Sequence, residues 1–319
     1  MKRPSLVPAL IAHGGAGGRA PAAELPGRRR GLLEAARAAA RILQDGGAAL
    51  DAVVAAVTVL EDDPLFNAGY GSYLTTAGTV EMDAAVTTAR RIEPRARGRT
   101  RFEMKAGGVV MVSRVRNPIL LARAVMERTP HVLMGGSGAE GLAREVGLRL
   151  CRPESMIAPR SRARWLALGG GKGRLGDAGQ HGTVGAVAVD VHGNLAAATS
   201  TGGVTLKLPG RIGDSAILGA GLYANLRGAA SATGEGEAIL KTALCRDAVE
   251  ELRRLPARAA AANAIARLGA LTAGEAGIIT VDSKGSLGYV HNATAMEIAT
   301  FNPVDGVRHR FAPAIEKGG

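Results

Sequence analysis

Two pairs of short apolar runs constrain the fold of this 319-residue chain more than any other feature of its sequence. Residues 184–191 are followed after a polar turn by residues 195–201, and residues 278–282 are followed in the same way by residues 287–291. Apolar runs of this length, joined by polar turns that contain glycine, predict β-hairpins with buried strands. Helical patterns lie between these hairpins, so the sequence predicts two packed sheets flanked by helices.

Helical and extended patterns also alternate along the rest of the chain. The spacing of apolar residues predicts helices over residues 28–44, 49–60, 118–127, 139–146, 235–255 and 257–271. Further strand-like runs occupy residues 7–12, 72–74, 80–87 and 108–112. A glycine-rich change of composition over residues 159–182 predicts a flexible linker inside a single domain of residues 1–319.

The formal net charge of +12, from 40 Lys and Arg against 28 Asp and Glu, raises the question of a polyanionic ligand. The densest basic segment covers residues 90–101 and lacks helical periodicity, which predicts a surface loop whose role is open. Aromatic residues make up only 3% of the chain, and no stacking face or nucleic-acid reading motif accompanies the arginines. We therefore predict a solvated basic surface and no nucleic-acid partner.

The cysteines, histidines and apolar runs of the chain argue against a disulfide-rich, zinc-binding, membrane or secreted protein. Cys151 and Cys245 are the two cysteines of a long chain, so it is not a disulfide scaffold, and six scattered histidines argue against a structural zinc site. No apolar run approaches the roughly 20 residues that a membrane helix needs. The N-terminal apolar stretch is short and contains Pro8, which favours a first strand over a signal peptide. We predict a cytoplasmic protein without a membrane partner.

Three glycine-rich motifs are similar to cofactor sites but lack a required part. Residues 219–224 carry glycines spaced as in a dinucleotide fingerprint, yet the next helical pattern starts too late. Lys172 ends a partial phosphate loop and is followed by glycine, and residues 135–139 lack the last glycine of a nucleophile elbow. We interpret all three as turns and predict no cofactor for catalysis.

The segment that carries the chemistry begins where the predicted linker ends, with the motif HGTVGAV at residues 181–187. Thr183 starts a buried strand, and the returning strand ends at Thr201. Opposite residues of an antiparallel pair lie about 4.5–5.5 Å apart, so this hairpin would bring the two threonines together. The motifs GRIGDS at 210–215 and ATGEGE at 232–237 add an arginine, an aspartate and glycine amides. Each feature alone is ordinary, since threonine is common in strands and GRIGD suits a turn with a surface ion pair.

Together these motifs resemble the plant-type (type III) L-asparaginase and isoaspartyl aminopeptidase family of N-terminal-nucleophile hydrolases. GTVGAV, TSTGG, GRIGDS, GAG and TGEGE occur in the order and at the separations of that family. HGGAG at residues 13–17 and the stretch 51–83, which contains LFNAG, extend the similarity over most of the chain. The resemblance implies a four-layer αββα fold and self-cleavage between Gly182 and Thr183. An α fragment of residues 1–182 and a β fragment of residues 183–319 would result.

The chemistry of the Thr183 nitrogen agrees with such a cut. In the intact chain this nitrogen is an amide and cannot act as a base. Attack of the Thr183 hydroxyl on the Gly182 carbonyl would free an α-amine with a reference pKa of about 7.7–8.0. That amine could accept the proton of the same hydroxyl near neutral pH.

The resemblance also implies a role for each site residue. Thr183 would be the nucleophile, supported by the Thr201 hydroxyl. Arg211 would hold the α-carboxylate of the substrate through its planar guanidinium, and Asp214 would hold the α-ammonium. Thr233 and Gly234 would form the oxyanion hole. Asn67 would lie beside Thr183, and Gly236 would line the substrate site.

Outside the catalytic centre the resemblance implies a structural sodium ion and an assembly. The ion would be held by the backbone carbonyls of Leu60, Glu61, Asp63, Phe66, Ala68 and Tyr70. Two αβ units would form a dimer, which is a heterotetramer of fragments. The substrates would be small molecules, namely L-asparagine and β-aspartyl (isoaspartyl) dipeptides.

Departures from the family pattern leave the substrate preference open. Val204 and Leu206 replace residues that are usually Met or Ile and Asn, and Leu222 stands where Thr is frequent. The usual Gly-Gly before the late strand is replaced by Glu275-Ala276.

Three alternative functions stay open. A glycosylasparaginase would carry Asn-Gly where this chain has Gly202-Gly203. A threonine-aspartase endopeptidase would share the run from Leu208 to Arg211, but the retained Asp214 favours a substrate with a free α-amine. The alternative from another class is a basic nucleic-acid or nucleotide-binding protein that uses the 90–101 segment and the Gly221 region. Salt-sensitive DNA binding without hydrolysis would distinguish it.

Overall fold

The computed structural model of the chain describes residues 6–92, 101–172 and 182–315. Its strands are β1 (Ala9–Gly17), β2 (Met82–Ile92), β3 (Arg101–Val112), β4 (Leu133–Gly135), β5 (Val184–Val189), β6 (Leu195–Thr201), β7 (Leu222–Ala224), β8 (Gly228–Gly234), β9 (Ala276–Asp282), β10 (Leu287–His291), β11 (Ala295–Asn302) and β12 (Gly306–Phe311). Its α-helices are α1 (Leu25–Gln44), α2 (Ala49–Asp62), α3 (Pro118–Arg128), α4 (Gly136–Glu145), α5 (Pro159–Ala167), α6 (Gly236–Thr242), α7 (Leu244–Glu251) and α8 (Ala257–Thr272).

These strands form two sheets that pack against each other. The larger sheet has eight strands in the order β12-β11-β1-β5-β6-β2-β3-β4, and the smaller has four in the order β10-β9-β8-β7. Successive side chains of a strand point to opposite faces. Leu10 and Ala12 of β1 therefore enter the core beneath the helices, whereas Ile11 enters the core between the sheets. Burial on both faces explains why the central strands are apolar throughout.

Helices cover the outer face of each sheet. Leu32 of α1, Val53 of α2 and Ile119 of α3 pack on the larger sheet, and Val249 of α7 and Ile265 of α8 pack on the smaller one. The layers follow the order helix, sheet, sheet, helix, which confirms the predicted αββα fold class. Within the described ranges, no helix combines the length and the hydropathy needed to cross a membrane.

The prediction of a flexible linker over residues 159–182 is wrong for its first part, which is a helix. Pro159–Ala167 forms α5, with a proline at its first turn, which favours helix initiation. The Trp165 indole nitrogen donates to the Thr75 carbonyl at 3.0 Å, and the Ser161 side chain is buried. This docking stabilises a helix that the composition does not predict. Residues 173–181 of the predicted linker lie outside the described residues.

The predicted loop at 90–101 also needs correction at its ends. Arg90 and Arg91 belong to β2, which pairs with β3 in a hairpin. Arg90 lies opposite Glu103, and their side chains form an exposed ion pair. Residues 93–100 lie outside the described residues.

Long-range packing changes several other predicted elements. The single helix predicted over 235–255 is two helices, because Ala243 adopts a left-handed backbone conformation with φ of 47° between α6 and α7. The predicted strand 72–74 is reduced to one bridge between Leu74 and Val80. Strands β4, β7, β8, β11 and β12 are present although no strand was predicted there.

The core beneath α8 provides a matched test of the packing. Leu268 is fully buried against the smaller sheet, whereas Leu271 on the same helix is 70% exposed. We expect Leu268→Ala to lower the free energy of unfolding by about 2–5 kcal/mol, because it removes buried methyl groups and leaves a cavity. Leu271→Ala should change it by less than about 0.5 kcal/mol. Urea denaturation measures both values, and equal effects would contradict the assigned face of α8.

Candidate active site

The site is built around the first residue of the β5–β6 hairpin. Val184 pairs with Ser200 in this hairpin, so the preceding Thr183 lies opposite Thr201. The Thr183 hydroxyl donates to Thr201 Oγ1 at 3.2 Å. Thr183 is only 5% exposed, although it lies at the end of its strand. The predicted approach of the two threonines is confirmed.

A third hydroxyl, which sequence reasoning did not assign, joins this pair. Ser215 Oγ lies 3.3 Å from Thr183 Oγ1. The Ser215 carbonyl accepts a hydrogen bond from the Thr199 hydroxyl, which ties the serine to β6. The Gly203 N–H donates to Thr201 Oγ1 at 3.0 Å, so that oxygen accepts from a backbone amide as well as from Thr183. The sequence feature that could have indicated Ser215 is its position directly after Asp214 in the motif GRIGDS.

The Thr233 hydroxyl lies on the other side of Thr183, at the end of β8. Its oxygen accepts the N–H of Ala16 at 3.1 Å and the N–H of Thr183 at 3.3 Å. Because these two amides occupy the acceptor positions of the oxygen, its own O–H proton is left to donate. Gly234 follows with φ of +139°, and a Cβ there would collide with the Glu275 carbonyl. The backbone at this point therefore requires glycine.

These hydroxyls face about 220 Å³ of empty space, including space open to solvent, in a cavity lined by one acidic and one basic side chain. Its wall includes Thr183, Thr201, Arg211, Asp214, Gly234 and Gly236. A Cβ on Gly236 would lie 2.7 Å from Arg211 Nη2 and 2.9 Å from Asp214 Oδ1. Glycine at this position keeps the space between the two charged groups open.

Asp214 is buried in this wall with an unsatisfied oxygen. The residue is 4% exposed, and no residue in the described part of the chain hydrogen-bonds its Oδ2 atom. Burial raises the pKa of the Asp214 carboxyl to about 7, against the opposing effect of Arg211. A cationic donor that enters the cavity would satisfy the oxygen and favour its ionised form.

Arg211 is held by an exposed partner. Its Nε and Nη2 atoms donate to the two carboxylate oxygens of Glu237 at 2.9 and 2.8 Å. The Arg211 side chain is 16% exposed, whereas that of Glu237 is 61% exposed. Solvent-exposed ion pairs contribute only about 0–1 kcal/mol. A ligand carboxylate can therefore replace this contact at little cost in free energy.

Asn67 lies beside the residue that precedes Thr183. Its amide donates to the Gly203 carbonyl at 2.6 Å, and its Oδ1 accepts the Tyr73 N–H at 2.8 Å. A Cβ built on Gly182 would lie 3.4 Å from the Asn67 Cβ. The structure therefore places Asn67 against Gly182, with its side-chain amide bound to backbone groups.

His13 is a neighbour of the site that sequence reasoning left without a role. It pairs with Gly185 across β1 and β5, and its Nε2 lies 2.8 Å from Ser231 Oγ. Complete burial lowers the pKa of its imidazole to about 3, so the ring is neutral at physiological pH. Among the described residues, no group of three or more His, Cys, Asp or Glu side chains could hold a metal ion.

The arrangement suits nucleophilic attack on a carbonyl group. The Thr183 hydroxyl contacts two other hydroxyls, and the Thr233 hydroxyl, which can donate to an oxyanion, lies beside Thr183. One cationic and one anionic side chain line the same cavity. The site can thus take a small substrate that carries both an ammonium and a carboxylate group.

Comparison with known proteins agrees with this chemistry. A family model described as asparaginase matches residues 6–307. An isoaspartyl peptidase/L-asparaginase of Bos taurus is 40% identical over 311 residues, which cover 95% of each chain. An isoaspartyl peptidase of Salmonella typhimurium is 41% identical, over 90% of this chain and 93% of the relative. A plant-type L-asparaginase of Pyrococcus abyssi is 42% identical, over 91% and 95% respectively.

The raised pKa of Asp214 predicts a pH dependence of stability. Between its ordinary value of 3.8 and about 7, the folded state retains a proton that the unfolded state has released. The stabilisation from this proton is complete below pH 3.8 and is lost as the pH rises through about 7. Asp214→Asn stays neutral, so its stability relative to the wild type should increase from pH 5 to pH 8.

Urea denaturation at several pH values measures this difference. Asp45→Asn, at an exposed carboxylate at the end of α1, is the control for the removal of charge alone. A difference between Asp214→Asn and the wild type that stays constant or shrinks with rising pH would contradict the burial of an unsatisfied carboxyl group.

Proposed function

The chain belongs to the asparaginase family, and on this basis we propose that it hydrolyses the side-chain amide of L-asparagine and β-aspartyl dipeptides through an acyl-enzyme on Thr183. It is a hydrolase that acts on amide bonds. The observation that carries the proposal is the position of the Thr183 hydroxyl. It lies 3.2 Å from Thr201 Oγ1 and faces the cavity of Arg211 and Asp214.

The proposed first reaction is self-cleavage. The Thr183 Oγ attacks the Gly182 carbonyl carbon, the C–N bond breaks, and the nitrogen takes the hydroxyl proton, so that an ester replaces the peptide bond. Water then hydrolyses this ester and leaves a Gly182 carboxylate and a free Thr183 hydroxyl and α-amine. The Thr201 hydroxyl supports this step, because its oxygen accepts the Thr183 proton in the intact chain.

The mature site repeats the chemistry on the substrate. The Thr183 amine accepts the hydroxyl proton while Oγ attacks the side-chain amide carbon. The Thr233 O–H and the Gly234 N–H stabilise the negative oxygen of the tetrahedral intermediate. The amide nitrogen then leaves with the proton as ammonia or as an amine. Water hydrolyses the remaining ester to aspartate and restores the hydroxyl.

Two charged contacts select the substrate in this proposal. The α-carboxylate replaces Glu237 on the Arg211 guanidinium, where a bidentate contact is already geometrically possible. The α-ammonium donates to the unsatisfied Asp214 carboxyl. Gly236 leaves the space through which both groups reach these side chains.

The alternatives have less support. Residues 219–224 form a turn followed by strand β7. No helix begins there, so the dinucleotide fingerprint lacks the helix N-terminus that would bind the phosphates. Buried Asp214 favours a substrate with a free α-amine over an internal site in a protein chain. The relatives named above are described as isoaspartyl peptidases and asparaginases.

We also propose a structural sodium ion at the loop that follows α2, held by the carbonyls of Leu60, Glu61, Asp63, Phe66, Ala68 and Tyr70. The helical donor for the Leu60 carbonyl would be residue 64, which is a proline without an N–H. The donor for Glu61 would be the Leu65 N–H, which instead binds Asp63 Oδ1 at 2.9 Å. A Cβ on Gly69 would collide with the Glu61 carbonyl, and one on Gly71 with that of Phe66.

These observations fit a cluster of carbonyl oxygens, which are suitable ligands for sodium. The ion would hold the loop that carries Asn67. The dimer of αβ units and the cytoplasmic location stay predictions.

Self-cleavage gives the direct test of the proposal. On a denaturing gel the wild type should separate into fragments of residues 1–182 and 183–319, and it should release ammonia from L-asparagine. Thr183→Ala should stay intact and inactive, because it lacks the attacking oxygen. Thr183→Ser keeps a hydroxyl and should still cleave. An uncleaved, inactive wild type or an active Thr183→Ala variant would contradict the mechanism.

Removal of Arg211 should separate maturation from catalysis. Arg211→Ala should still cleave at Thr183, yet lose about tenfold or more in kcat/KM for L-asparagine, since hydrogen bonds to charged groups contribute about 1.5–3 kcal/mol. The matched control is Arg227→Ala, which removes an exposed arginine whose partner is Glu250. Steady-state ammonia release measures both variants. Equal kcat/KM values for Arg211→Ala and the wild type would remove its assigned role.

A further inference from the structure

A second cavity shares Gly182 in its wall with the cavity already described. It contains about 580 Å³ of empty space, including space open to solvent. Gly182 and Asn67 are in its wall, together with Arg19, Tyr73 and Phe311. Gly182 also lines the first cavity, so the two cavities adjoin at this residue.

The position of this cavity relates it to the leaving group of the reaction. In the proposed function, the α-carboxylate and α-ammonium of the substrate are held at Arg211 and Asp214 in the first cavity. The remaining substituent on the attacked carbonyl must then point away from those groups, past the Thr183 hydroxyl. Gly182 lies there in the intact chain, and it is no longer attached to Thr183 after cleavage.

Most of the positive charge in the second cavity is already paired. Arg28 binds Glu297 Oε2 at 2.6 Å and donates to the Gly14 carbonyl at 2.9 Å. Arg160 donates to both carboxylate oxygens of Glu24, at 3.0 and 2.7 Å. Both arginines therefore already have carboxylate partners within the protein.

Arg19 differs from both. It is exposed at the wall of the cavity, in the segment that follows β1. No residue of the described ranges forms an ion pair or a side-chain hydrogen bond with it. Phe311 lies in the same wall and is 55% exposed. The cavity thus offers a guanidinium for an anion and an aromatic surface for an apolar group.

We propose that this cavity binds the leaving amino acid of a β-aspartyl dipeptide, with the carboxylate of that amino acid at Arg19. The inference rests on the proposed function and names the substrate class that it favours. When L-asparagine reacts, the leaving group is ammonia, which is too small to reach Arg19. When a β-aspartyl dipeptide reacts, the leaving amino acid keeps its carboxylate and can use both Arg19 and Phe311.

The covalent chemistry is the same for both substrates. The Thr183 Oγ–carbon bond forms, the carbon–nitrogen bond breaks, and the departing nitrogen takes the proton that the Thr183 hydroxyl gave up. The only difference lies in what is attached to that nitrogen. Arg19 is therefore a binding residue for the leaving group and does not take part in proton transfer.

The test compares substrates that differ only in the leaving group. We would measure kcat/KM for β-aspartyl-leucine, β-aspartyl-leucinamide and L-asparagine, normalised to the fraction of cleaved chain on a denaturing gel. Arg19→Ala should lower the ratio of β-aspartyl-leucine to L-asparagine by about fivefold, the upper end for an exposed ion pair. The ratio of β-aspartyl-leucinamide to L-asparagine should not change, because the amide carries no charge. Arg19→Lys should restore part of the loss.

Arg29→Ala is the matched control, since Arg29 is an exposed arginine of α1 outside the cavity wall. It should leave all three values unchanged. An unaltered ratio of β-aspartyl-leucine to L-asparagine in Arg19→Ala, or equal losses for the leucine and leucinamide substrates, would overturn the proposal. A wild type that hydrolyses none of the substrates would instead contradict the proposed function itself.

Discussion

The antiparallel register between β5 and β6 is the constraint on which the rest of the site depends. It sets Val184 opposite Ser200, and so places the Thr183 hydroxyl beside Thr201. A slip of one residue would turn every side chain of the strand to the other face of the sheet. The register is held on both sides, since β5 also pairs with β1 and β6 also pairs with β2. The nucleophile is therefore positioned by the whole centre of the larger sheet.

Burial in this centre also determines the charges of the site. The same exclusion of water that raises the pKa of Asp214 to about 7 lowers that of His13 to about 3. Both groups are thus biased towards their neutral forms in the protein alone. The Arg211 guanidinium contacts an exposed glutamate, Glu237. A ligand with one ammonium and one carboxylate would complement Asp214 and Arg211 together, which relates the electrostatics of the cavity to the proposed substrate class.

Prediction from sequence succeeded where local patterns and final structure agree. Strands β6 and β10 have the predicted bounds, because each is an apolar run ended by a polar turn. Strand β8, with the sequence GAASATG, has no β-branched run and little intrinsic strand preference. It is a strand because β7 and β9 pair with it on both sides. Helix α5 was missed for a similar reason, since its docking through Trp165 depends on residues far away in the chain.

The sequence by itself determined the order of the chemical groups: a threonine after a glycine at the start of a buried strand, followed by one arginine, one aspartate and an oxyanion motif. It also determined the alternation of sheets and helices. Only the tertiary structure decided that Ser215 joins Thr183 and that Asn67 lies against Gly182. It also decided that Arg28 and Arg160 are paired within the described chain while Arg19 is not. The physical reason is that strand and turn patterns reflect interactions between near neighbours. Contacts between distant residues depend instead on how three separate cores pack the layers together.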